Sequence, residues 1–187
     1  MTTENLERAY AVARGVVANV KADQLDDPTP CVSWHVRDLL NHMIGGTFWA
    51  ATAVTNGNSD VVESLTTDYS ERNLVAVYDA GIAESVAAFA AAQDRAVTLP
   101  FGTLPVPVFQ AIITTDALVH AWDLARATGQ ATDLDPELAG ELLEGAKTRI
   151  QPAFRGDDGK APFGAEQPAP PNASNADALA AFLGRTL

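Results

Sequence analysis

"TTDALVHAWDLARATG", Thr114 to Gly129, decides how this chain is read. Advancing about 100° per residue brings Phe109, Ile112, Ile113, Asp116, Val119, His120 and Asp123 into one arc of a helix. The apolar members place that arc on the inner side of the protein, so Asp116 and His120 are an ionisable pair on a face made for burial. An unpaired buried carboxylate is costly, and Asp116 must therefore find a partner, take up a proton or bind a cation. At i and i+4 the two side chains are near enough to pair with each other or to share a ligand.

Outward from this stretch the helical spacing continues. It predicts a helix over 106–128 that stops at Gly129, and a further one over 136–150 capped by Asp135 with Pro136 in its first turn. Leu6, Ala9, Tyr10, Ala13, Val16, Val17 and Val20 predict a helix over 4–21. The prolines of "DDPTPC" force an extended connection, after which Ser33 offers an N-cap for a helix over 34–55. A polar link over 57–67 leads to a helix over 70–94, built on Leu74, Val75, Tyr78, Ile82, Val86 and Phe89. "AVTLPFGTLPVPV" breaks the pattern around Pro-Phe-Gly and reads as a short hairpin or extended corner. Residues 151–173, rich in Pro and Gly, read as a long structureless link before a last helix over 174–185. The expected fold class is all-α: one domain over 1–187, a four-helix bundle with short extra helices and a small hairpin.

Composition limits what such a bundle does. Twelve Lys plus Arg against twenty-four Asp plus Glu give a net charge of -12 in 187 residues, which repels phosphate backbones and anionic lipid, so no nucleic-acid and no membrane partner is expected. The longest uninterrupted apolar runs, such as "VAAFAAA", fall well short of the roughly 20 residues that cross a bilayer. A single cysteine, Cys31, and a polar start without signal-peptide features point to a cytoplasmic protein. Phosphate-loop, dinucleotide, nucleophile-elbow and H-E-x-x-H patterns are missing from the sequence.

The second helix repeats the anomaly of the opening stretch, with His35, Leu39, His42, Gly46 and Trp49 on one stripe. His35 lies about 10 Å along the axis from His42, too far for both to hold one ion. His42 is the deeper histidine, with Gly46 leaving room above it. His42, Asp116 and His120 make a workable divalent-metal site with open positions for water or substrate. The plainer alternative is a salt bridge between Asp116 and His120 with no metal. Asp123 either orients His120 or bonds along the helix surface, and Trp34, Trp49 and Trp122 read as core anchors. Cys31 reads as a small buried residue, and His35 as a solvent-side histidine of the first turn.

"TPCVSWHVRDLLNHMIGG", "TTDALVHAWDLARATGQ" and the tail "PFGAEQPAPPNASNADALAAFLGRTL" together resemble the mycothiol-dependent maleylpyruvate isomerase family of the DinB-like superfamily, most of all a stand-alone actinobacterial subgroup of metal-binding proteins. The resemblance implies an up-down-down-up bundle with a long crossover. It also implies a divalent metal held by His42, Asp116 and His120: zinc first, with nickel, iron or manganese as alternatives. Mycothiol is the implied cosubstrate, a small-molecule substrate or thiol is the expected partner, and a homodimer stays open. The isomerase carries glutamate where this chain has Asp116, and has a second, C-terminal domain contributing to its active site, so maleylpyruvate is not the expected substrate. Two functions stay open: a metal- and thiol-dependent transferase or isomerase acting on a small electrophile, and a metal- or ligand-binding bundle without turnover.

Overall fold

The helical spacing of Leu6, Ala9, Tyr10 and Ala13 builds α1 (Glu4–Val17) in the computed structural model, which describes residues 3–157 and 160–187. Next come α2 (Val36–Asn56), a single turn α3 (Glu63–Thr66) and α4 (Leu74–Ala91). A hairpin of β1 (Ala96–Leu99) and β2 (Gly102–Pro105) leads into α5 (Val106–Ala127), and α6 (Pro136–Arg149) and α7 (Asn175–Phe182) close the chain. The strands pair antiparallel, Ala96 with Pro105 and Leu99 with Gly102, around a Pro100–Phe101 turn. The expected all-α bundle with short extra helices and a small hairpin is what forms.

The closest pairings are α2 with α4 and α1 with α5, while α1 also touches α4 and α2 also touches α5. The four long helices therefore close a ring around Leu39, Ile44, Phe89, Phe109 and Leu118, all essentially buried. Burial of each such side chain contributes about 1.5–3 kcal/mol relative to exposure. At Gly81 the bareness of the backbone sets the spacing of one pair, because a Cβ there would lie 1.9 Å from Thr47 Oγ1 on α2.

Several boundaries differ from the spacing argument. The helix starts at Val36 and not near Ser33, because Asp38, three residues into the helix, accepts the backbone N–H of His35 and makes His35 the N-cap. Asn73 does the same for α4, accepting from Ala76 N, which moves its start from 70 to 74. α1 stops at Val17 and the chain turns through Ala18–Val20. The described residues of 151–173, which exclude 158 and 159, differ from the expected structureless link: Phe154–Gly156 exchange backbone hydrogen bonds with Phe163, Arg155 donates to the carbonyls of Gly164 and Phe182, and Gln167 N donates to Ala181.

One helix bears on the expectation about membranes. Among the described residues, Leu74–Ala91 is long and apolar enough to cross a membrane by length and composition, with a mean hydropathy of 1.5 over 18 residues. Its alanines raise the average although no uninterrupted apolar run is long. In the bundle it packs on α1 and α2 through Tyr78, Gly81, Ser85 and Phe89, and its Asp79 pairs with Arg14.

Candidate metal centre

Because α5 presents residues four apart on one face, Asp116 and His120 stand one turn from each other, and the α2–α5 contact brings His42 to meet them. His42 Nε2 lies 3.5 Å from Asp116 Oδ2. His120 Nε2 lies 3.4 Å from Asp116 Oδ1. One ligand atom from each residue falls within 4.8 Å of the others. These separations are long for hydrogen bonds. They match the roughly 3.3 Å between two ligand atoms on one tetrahedral ion with bonds of about 2.0–2.1 Å. Among the described residues, buried His42 Nε2 finds no hydrogen-bond partner.

The electrostatics keep the Asp116 carboxylate charged between the two imidazoles. Burial works against the Asp116 carboxylate, but the facing His120 and His42 hold its pKa well below the usual range. Burial also opposes charge on His120, yet Asp116 and Asp123 push its pKa up. Trp34 covers both imidazoles, its ring centroid 4.7 Å from that of His42 and 5.7 Å from that of His120. It is thus part of the wall of the site and more than a core anchor.

Behind His120 stands a second layer that the sequence showed only in part. Fully buried Asp123 accepts from His120 Nδ1 at 3.0 Å, since a carboxylate only accepts, and Nε2 of the same ring faces Asp116. Arg185, 62 residues further on, grips Asp123 with two hydrogen bonds, Nε to Oδ1 at 3.1 Å and Nη2 to Oδ2 at 2.9 Å. Burial would raise the Asp123 pKa, but His120 and Arg185 hold it down to about 2. The Cys31 thiol donates to Asp123 Oδ2 at 3.3 Å and accepts from Arg185 at 3.5 Å, so Cys31 is half-buried and tied into this layer. Nothing in helical spacing links Arg185 or Cys31 to residue 123.

His35 is at the N-terminus of α2, its side chain 63% exposed and directed to Asp38, outside the cluster. Trp122 is buried and donates its indole N–H to Asp177 Oδ1 at 2.8 Å, which pins α7 to α5. Beside His42 and Asp116 opens a cavity of about 240 Å³, walled mainly by apolar side chains of α2 and α5, with Phe101 of the hairpin turn at its edge. Another, more open hollow of about 380 Å³ lies between α2 and α4 around Thr52, Thr55 and Glu84, and none of the three candidate ligands lines it.

Comparison with known proteins adds a lineage to this geometry. The profile of the mycothiol maleylpyruvate isomerase N-terminal domain matches residues 6–125, which span α1 to α5 and include His42, Asp116 and His120. Two uncharacterized proteins of Mycobacterium tuberculosis, one from strain CDC 1551 / Oshkosh and one from a second strain, are each 46% identical to the chain over 187 residues, covering 97% of it and 96% of themselves. No solved structure matches significantly.

Proposed function

Because the chain belongs to the mycothiol maleylpyruvate isomerase N-terminal domain family, we propose that it binds a divalent metal, zinc in first place, through His42, Asp116 and His120. In this reading it serves as a metal-dependent transferase or isomerase that joins a low-molecular-weight thiol, of the mycothiol type, to a small electrophile. The observation that carries the reading is the pair of Nε2–carboxylate separations, 3.4 and 3.5 Å, around a buried His42 nitrogen without a hydrogen bond among the described residues.

A bound divalent ion supplies Lewis acidity that makes a coordinated thiol or water acidic near neutral pH. The chain's residues do the rest. Asp123 accepts from His120 Nδ1 and so keeps Nε2 directed at the site. Trp34 packs on both imidazoles and limits their rotation. Asp116, with 42% of its side chain exposed, and His42 both line the cavity, which leaves that side for an acceptor molecule while the apolar wall excludes water.

Elemental analysis of protein purified without a metal-affinity tag tests the site. Wild type is expected to carry about one ion per chain, and His42→Ala and His120→Ala are expected to lose it. Sub-stoichiometric metal in wild type after supplementation overturns the proposal. Where metal is bound, a cobalt-substituted sample separates turnover from mere binding: a spectral change on adding thiol supports the enzyme, and an unchanged spectrum supports the binding module.

A further inference from the structure

The cavity beside the candidate ligands has two unlike ends. His42 and Asp116 line one of them, and no Lys, Arg or second carboxylate lines any part of it. Trp49 of α2 and Phe109 of α5 line the other, seven residues along each helix or about 10 Å away, with their rings edge-on at 5.6 Å between centroids. Leu65 of α3 and Phe101 of the hairpin turn are the only lining residues from outside the four long helices. Phe101 is 65% exposed and so adds little to the core, and tight turns favour Gly, Pro, Asn, Asp or Ser. Its support is nevertheless fixed: Val97 and Leu99 of β1 are buried, Thr98 N donates to Gly57 O at 2.9 Å, Ser59 N donates to Thr98 O at 3.1 Å, and β2 runs straight into α5. A large apolar ring is thus held at the cavity edge with most of its surface in water, and a guest that covers it gains that area.

The proposed ion decides what the first end takes. Two imidazoles and one carboxylate leave a divalent ion with excess positive charge, so the group that meets it is a lone-pair or anionic donor. At the second end no side chain offers a counter-charge, and a charge enclosed there would go unpaired. About 240 Å³ exceeds the roughly 150 Å³ of a cavity known to hold benzene, so one ring on a short arm fits. We infer that the cavity takes a two-ended molecule, a donor head joined to an uncharged, ring-sized apolar body, and that Phe101 is the specificity-determining residue that covers the body. The head half rests on the proposed metal site, whereas the body half rests on the apolar wall and Phe101.

Ethanethiol and benzyl mercaptan share a thiol head and differ in their bodies, and each is titrated calorimetrically into the full chain, zinc-loaded and again after chelator. Wild type is expected to bind benzyl mercaptan roughly tenfold to a hundredfold more tightly in both states, the gain from burying an aromatic group, and zinc is expected to tighten both thiols. Phe101→Asn, which suits the turn, is expected to cut that ratio roughly threefold or more through the loss of about 30 Å² of apolar contact, and Phe101→Leu to restore most of it. Neither variant is expected to change the metal content or to move Tm by more than about 2 °C, as for other substitutions at exposed positions.

A ratio near one in zinc-loaded wild type, or a ratio that Phe101→Asn leaves unchanged, overturns the inference. A lost ratio together with a larger fall in Tm overturns the binding role of Phe101 in favour of a structural one. Bound zinc that tightens neither thiol overturns the placement of the head. Metal analysis of the same samples keeps the two proposals apart. A wild type without metal that still prefers benzyl mercaptan overturns the metal reading alone, a metal-loaded wild type without that preference overturns this one alone, and a wild type with neither overturns both.

Discussion

Asp116 has a shorter arm than the glutamate expected from the family resemblance, and its two oxygens still come within 3.4 and 3.5 Å of two imidazole nitrogens on different helices. What holds the arrangement is the layer behind it. Arg185 and Asp123 are 12% and 0% exposed, and the carboxylate depends on that guanidinium. Arg185→Ala is therefore expected to cost about 3 kcal/mol in urea unfolding, because it strands a buried charge, and to weaken the proposed metal affinity by roughly 10–100-fold. A loss below about 0.5 kcal/mol, the scale of an exposed pair such as Lys160–Asp157, would show that His120 alone satisfies Asp123. Asp177 offers a pH test away from the proposed ligands. Burial raises its pKa, but the hydrogen bonds from Trp122 and Ser174 prevail and the net shift is downward. A depressed folded-state pKa stabilises fully above the unfolded value of about 3.9, and the contribution fades as pH falls through the folded value. Unfolding free energies of wild type and Asp177→Asn should thus differ at pH 6 and converge below about pH 4. A constant gap would show that the carboxylate's charge is irrelevant. At this scale the meeting of His42, Asp116 and His120 was legible, because i,i+4 spacing and helical stripes are local signals. Arg185, Cys31 and the role of Trp34 were not, since their partners sit on other elements and no period connects them.

Among the elements, the long helices were legible and their ends were not. Apolar spacing reports the middle of a helix, whereas its start depends on single hydrogen bonds such as those of Asp38 and Asn73, which compete with other capping candidates nearby. The single turn α3 went unseen because four residues are too few to show a period. Two glycines, equally unfavourable by helix propensity, have opposite meanings in the structure. A Cβ on Gly15 meets nothing within 4 Å, while one on Gly81 would meet Thr47 Oγ1 at 1.9 Å and Phe48 Cε2 at 3.1 Å. Gly15→Ala is expected to stabilise by about 0.5–1 kcal/mol through helix propensity alone. Gly81→Ala gains the same propensity but forces α4 away from α2, for a net loss of about 1–2 kcal/mol. Thermal unfolding of the two variants side by side decides it, and a stabilised Gly81→Ala would mean that the Thr47 side chain rotates away at little cost.

At the scale of the whole molecule, the proposed centre joins parts of the chain that are far apart. His42 comes from α2, Asp116 and His120 from α5, and the support of Asp123 arrives from Arg185 beyond α7. Trp122 and Asp177 bind that same C-terminal segment to α5, and Arg155 ties the 151–173 stretch to Phe182. An ion bound by residues of two helices is held by the folded chain alone, since unfolding separates the ligands, and it therefore stabilises by mass action. At a free metal concentration one hundred times Kd the gain is about 2.7 kcal/mol. With roughly 2–4 °C per kcal/mol for a chain of this size, chelation should lower Tm by about 5–11 °C. His42→Ala and His120→Ala should melt at a temperature that chelator does not change, whatever their own stability. A chelator effect of equal size in wild type and both variants would place the ion elsewhere, and no effect in wild type would leave Asp116 and its histidines as a purely structural cluster.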